Sequence, residues 1–153
     1  MRIVTLLSPG SGLIRSSWQA TAVFTVTAFA AAIGPSWLRW PAVVVALALF
    51  AVGIITMLWA FAIAVQRSRV DAIGVGGLYL GMGSSPRPVR RHLLGALALQ
   101  VVVGIVTASI RPFTSLAFGT LVPILGIGLM GLWAARYGDF EPTDRPINTD
   151  NDS

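Results

Sequence analysis

Catalysis, metal binding and ion coupling all require titratable or nucleophilic side chains at workable spacing, and this chain has few. Its one histidine, His92, follows Arg90 and Arg91, and there is no cysteine. A single imidazole with no thiolate or neighbouring carboxylate does not build a metal site. The lack of Cys excludes disulfides, iron–sulfur clusters and thiol-linked lipidation. Gly74, Gly76, Gly77, Gly81 and Gly83 suggest a phosphate loop, but G-x-G-x-x-G would need glycine where Tyr79 stands, and no Gly-Lys-Ser/Thr follows. No Ser, His and acid fall together for nucleophilic catalysis. The expectation is a chain with no catalytic residue, no cofactor and no metal.

Three other features carry chemistry of a different kind. Gln100 stands alone as an amide in a long apolar stretch, and Ala96, Gln100, Gly104 and Ala108 recur at i, i+4. Small residues let helices approach closely in lipid, and an amide can hydrogen-bond across the contact. The stripe therefore reads as a helix-packing face, with a substrate or ion contact as the alternative. Pro123 sits among Gly119, Gly126, Gly128 and Gly131 and reads as a break in an apolar helix. Such breaks serve packing, and in some transporters they line a binding site. Arg67, Arg69, Arg87, Arg90 and Arg91 cluster between two apolar blocks and are candidates to contact anionic lipid or an acidic partner.

The elements that must position these residues are apolar and long. Hydrophobic residues make up 55% of the 153, and only 11% are charged, against about 25% in ordinary soluble domains. Four uncharged blocks follow one another, about 18–38, 41–65, 93–110 and 113–135. The shortest would rise about 27 Å as a helix, close to the roughly 30 Å of a bilayer core. An Arg followed by a Pro separates the first pair (Arg39, Pro41) and the last (Arg111, Pro112). Such pairs favour a tight turn at the water interface. The expected fold is an all-α membrane protein of four transmembrane helices arranged as two helical hairpins, a domain covering 18–136.

The basic residues are all Arg, and their distribution sets the orientation. With a cytoplasmic N-terminus, nine of the eleven fall inside and only Arg39 and Arg111 outside. By the positive-inside bias both termini should be cytoplasmic. Residues 1–17 read as an uncleaved cytoplasmic lead-in, because the apolar run Ile3–Leu7 is too short for a signal-peptide core. Residues 66–92 form an inner loop, in which 72–83 is apolar but too short to span. The acidic stretch 137–153 should be a disordered cytoplasmic tail. Thr21, Thr25 and Thr27 of the first block can satisfy their hydroxyls on their own helix. Trp37 and Trp40 fit an interfacial aromatic belt. The pI near 11.4 reflects this topology rather than nucleic-acid binding.

The segment Pro86–Gly138 resembles a group of small conserved integral membrane proteins of actinobacteria, mycobacteria included. The likeness is clearest at Arg90-Arg91-His92-Leu93-Leu94-Gly95, at Arg111-Pro112-Phe113 and at Gly131-Leu132-Trp133. It implies a multi-pass plasma-membrane protein and supplies no activity and no site residues.

Two functional expectations result. The first is an accessory or scaffold subunit of a membrane complex, not an enzyme. Its partners would be membrane lipids and another membrane protein or further copies of itself, with no nucleic acid. The alternative is a small oligomeric channel or transporter that uses the Gln100 face and the Pro123 kink.

Overall fold

The computed structural model describes residues 10–69, 73–110 and 115–140. Five α-helices carry the described chain: α1 (Ser11–Ile33), α2 (Arg39–Arg67), α3 (Val75–Tyr79), α4 (Arg87–Ile110) and α5 (Pro123–Tyr137). Short 3-10 turns, Ser36–Leu38 and Ser115–Leu121, lead into α2 and α5. No strand occurs among the described residues.

Proline and glycine, not charge, set the helix limits. α1 begins well before Trp18 because nothing between Gly10 and Gly34 breaks a helix. The charge of Arg15 limits where a chain can enter lipid without stopping a helix, and Arg15 is exposed. α1 ends at Ile33, short of residue 38, because Gly34 precedes Pro35 and takes an extended conformation, as pre-proline residues tend to. α2 and α4 likewise start ahead of the expected 41 and 93, and each holds a proline, Pro41 and Pro88, in its first turn.

The fourth apolar block departs most from the sequence reading. It is not one helix kinked at Pro123. The 3-10 turn carries the chain up to Val122, and Pro123 opens α5 at its first turn. There the missing N–H would have had no intrahelical partner. The Arg111–Pro112–Phe113 turn lies outside the described residues.

Among the described residues, three stretches are long and apolar enough to cross a membrane: Ser36–Arg67, Arg87–Ile110 and Leu116–Tyr137. α1 has comparable length, but Ser16, Ser17, Gln19 and three threonines dilute its hydropathy. The four long helices stand side by side in the cyclic order α1, α2, α5, α4, with α2 on α5 the most extensive contact. Their directions alternate along the chain, so the neighbours α1 and α4 run parallel, as do α2 and α5. Ile14, Val89 and Trp133 share one cluster at one end, and Ala31, Ala32 and Leu116 share another at the opposite end.

Small residues form the seam between α2 and α5. On α2, Ala46, Gly53 and Ala60 are buried and lie seven residues apart. Gly53 and Ala60 face α5, in which every residue from Gly128 to Ala135 is buried, while Ala46 packs with Phe24, Ala28 and Val122. A Cβ on Gly53 would stand 2.6 Å from the Leu125 backbone nitrogen, and one on Gly128 would stand 2.6 Å from the Gly53 carbonyl oxygen. Only glycine permits that approach. The result is asymmetric: 61% of the most apolar window of Leu116–Tyr137 is buried, against 17% for Ser36–Arg67. α5 is the central post, and α2 turns most of its apolar side chains outward.

The inner loop folds back on this core. α3 packs Leu78 against Ala60, Ala64 and Leu132. The Tyr79 ring covers Gly131, and its hydroxyl donates to the Met57 carbonyl at 3.3 Å. Burial raises the Tyr79 phenol above its ordinary pKa. The tail is not loose from residue 137 onward: Asp139 N–H donates to the Ser84 carbonyl, and Phe140 packs onto the α3 cluster. The remainder of the expected tail, 141–153, and residues 1–9 of the lead-in lie outside the described residues.

Candidate functional site

The one amide inside the bundle is built from two matching helix faces. On α1 the buried residues Ile14, Ser17, Thr21, Phe24, Ala28 and Ala31 alternate steps of three and four. On α4 the buried residues Val89, Leu93, Ala96, Gln100, Val103 and Thr107 do the same. This is the 3.5-residue repeat of a coiled-coil seam. Where the two seams meet, Gln100 Nε2 donates to Thr21 Oγ1 at 2.8 Å, and both residues are fully buried. Thr21 in turn donates to the Ser17 carbonyl at 2.8 Å. Its hydroxyl therefore satisfies itself on its own helix and still accepts the amide. Thr25 and Thr27 also donate to carbonyls of α1.

The stripe read from the sequence is partly the structural face. Ala96, Gln100 and Gly104 are buried, and Ala108 is only half-buried. Steps of four overshoot a 3.6-residue turn by about 40° each, so three steps carry Ala108 away by roughly 120°. Thr107 takes the buried position instead. Gly104 makes the closest approach: a Cβ there would stand 2.9 Å from the Gly119 carbonyl oxygen. Pro123 contributes no kink to this site.

The surroundings of Gln100 are closed. Its Oε1 and the Ser17 Oγ are buried without a hydrogen-bond partner among the described residues. A Cβ on Gly126 would reach within 3.1 Å of that Oε1. Cavities open beside Trp40, Ala46, Tyr79 and Met82, and Gln100 lines none of these. The arrangement suits a register pin, since one buried polar pair on an apolar seam disfavours sliding of one helix along the other. The energetic expectation is small. Gln100→Leu should change stability in detergent by only about 0.6 kcal/mol, the mean for hydrogen bonds inside membrane proteins. A double-mutant cycle with Thr21→Val checks this, and a coupling near zero would remove the pair as a pin.

The Arg cluster divides. Arg69, Arg87, Arg90 and Arg91 are exposed, as is His92. Arg67 is half-buried and committed to the protein. Its guanidinium donates to the Ala135 carbonyl at 2.9 Å and the Gly138 carbonyl at 3.2 Å, and lies over the Phe140 ring at 5.3 Å. It ties the end of α2 to the end of α5, where the last carbonyls of a helix lack intrahelical partners. As a lipid-contact candidate Arg67 is therefore replaced by a structural role.

Neither protein-family models, nor curated proteins, nor solved structures match this chain.

Two groups of residues escaped the sequence reading. The α2–α5 seam was hidden because α2 is apolar on every side, which leaves no contrasting face to reveal Gly53. Ser36, Trp37, Arg39 and Trp40 read only as a turn and an aromatic belt. With Val43 and Phe118 they line a cavity of about 580 Å³ at the end of the bundle opposite Arg67. The pairing of an Arg with two Trp in one short turn was the available signal.

Proposed function

We propose that this chain is a multi-pass plasma-membrane protein with four spans and cytoplasmic termini, acting as a non-catalytic accessory or scaffold subunit of a membrane complex. The closed interior around Gln100 carries this reading. A conduit needs a wettable path, whereas here small and apolar side chains meet directly and the one amide is bonded across a helix seam. Support for α1 as the fourth span comes from its course along α4 and α2 and from its outward residues, among them Val26, Phe29 and Ile33, which are exposed and apolar. The nine-to-two distribution of Arg supports the orientation. The resemblance of Pro86–Gly138 to small actinobacterial membrane proteins agrees with it.

The surface offered to partners is α2. Val44, Leu47, Ile55, Leu58 and Phe61 are exposed along it, and Trp59 carries the Arg136 guanidinium over its ring at 5.4 Å. Lipid covers such a face, and so can another membrane protein or a second copy. The channel alternative keeps one supporting observation, the unpartnered Gln100 Oε1.

Two measurements test the reading. Because the chain has no cysteine, Ser36→Cys and Ser68→Cys each create one thiol. In intact cells an impermeant thiol reagent should label the first and spare the second; the reverse pattern would invert the topology. Crosslinking through α2 in native membranes should capture a defined protein or a homo-oligomer. Lipid adducts alone would leave the scaffold role without support.

A further inference from the structure

We infer that the cavity beside Arg39 binds an anionic phospholipid, with the guanidinium on the lipid phosphate and the acyl chains lying along α2; this rests on the membrane reading above. The cavity, about 580 Å³, has two kinds of wall. Ser36 and Arg39 supply polar donors, while Val43 and Phe118 supply an apolar side. Trp37 and Trp40, both largely exposed, frame the opening with indole rings, the side chains that favour the headgroup level of a bilayer. Below them Val44 and Leu47 continue the apolar face of α2 outward.

Arg39 needs an anion that the described chain does not provide. Its Nε is buried and has no hydrogen-bond partner among the described residues. A guanidinium has five N–H donors and remains charged at every physiological pH. Leaving a charged donor buried and unpaired is unfavourable, which selects for a partner. The one described acid, Asp139, is tied to Ser84 at the opposite end of the bundle. In sequence, Asp71 follows the far end of α2, and the other acids follow Asp139.

A phosphate meets the need. It accepts two parallel N–H bonds from one guanidinium, a geometry a point-charge ammonium cannot reproduce. It would also sit at the start of α2, the positive end of that helix's dipole. The apolar wall decides between sources. Free phosphate would leave Val43 and Phe118 against water, whereas a phospholipid covers them. The exposed Arg69, Arg87, Arg90 and Arg91 line none of the four cavities described.

The test uses the full chain purified in mild detergent. Retained lipid is read by native mass spectrometry, and thermal unfolding is followed on adding phosphatidylglycerol, phosphatidylcholine of the same chains, or inorganic phosphate. Wild type should retain phosphatidylglycerol and be stabilised by it alone. Arg39→Gln should lower that retention about ten-fold, the loss of one charge-assisted contact. Arg39→Lys should recover it in part, and Arg69→Gln should leave it unchanged. Should Arg39→Gln not fold, Trp40→Ala is expected to weaken phosphatidylglycerol retention with Arg39 intact. Equal retention by wild type and the cavity variants would overturn the proposal, as would equal stabilisation by inorganic phosphate or phosphatidylcholine. Recovery of the wild-type chain in the soluble fraction without detergent would instead overturn the membrane reading, so the two failures are distinguishable.

Discussion

Gly128→Leu is expected to abolish the native bundle or leave it with a strongly depressed Tm. A Cβ at this position would stand 2.6 Å from the Gly53 carbonyl oxygen and 3.1 Å from the Met57 nitrogen. Both are backbone atoms of α2, so relief requires the two helices to separate. Forcing methylenes into a packed interior typically costs about 1–3 kcal/mol and sometimes more. Here the insertion lies on the most extensive contact of the fold, so the upper end is expected. Gly12→Ala is the matched control. A Cβ there meets nothing within 4 Å, and the change should be neutral or stabilise by up to about 1 kcal/mol through helix propensity. Thermal unfolding in one detergent compares the two. Similar Tm values for Gly128→Leu and wild type would show that α2 and α5 do not meet as described.

Arg67→Ala should give the next largest loss. It removes two hydrogen bonds to helix-end carbonyls and the contact with Phe140. Hydrogen bonds to charged groups contribute about 1.5–3 kcal/mol each when well shielded. Arg67 is half-buried, so a total of about 1–3 kcal/mol is the reasonable range. Arg67→Lys keeps the charge but cannot span both carbonyls with a planar fork, and should recover only part. The loss should appear as faster proteolysis near Gly138 as well as a lower Tm. A variant as stable as wild type, with the same cleavage pattern, would return Arg67 to the exposed group with Arg69.

The turns and the long apolar stretches were legible in the sequence because they depend on local covalent constraints. Gly34-Pro35 ends α1 through proline sterics that act on neighbours alone. The start of α1 was not legible from charge, since Arg15 bears on partition into lipid and not on helix formation. Gln100 could be singled out because an amide among apolar residues is conspicuous. Its partner Thr21 could not, since a threonine that bonds its own helix has no visible need of another. The i, i+4 stripe found the right face but drifted off it by Ala108, because the pairing of α1 with α4 follows a 3.5-residue repeat. Pro123 read as a break in one helix because the 3-10 turn before it is as apolar as the α-helix after it. Arg67 and Arg39 looked alike as flanking charges. Only tertiary packing distinguishes a guanidinium spent on helix-end carbonyls from one left beside an open cavity.

The closed interior is the claim on which the functional reading depends, and solute flux tests it most directly. Purified protein reconstituted into liposomes should let protons, potassium and a small polar dye cross no faster than protein-free vesicles of the same lipid. Flux above that baseline, lost in Gln100→Leu while folding is retained, would contradict a sealed scaffold and establish a conduit through the α1–α4 seam.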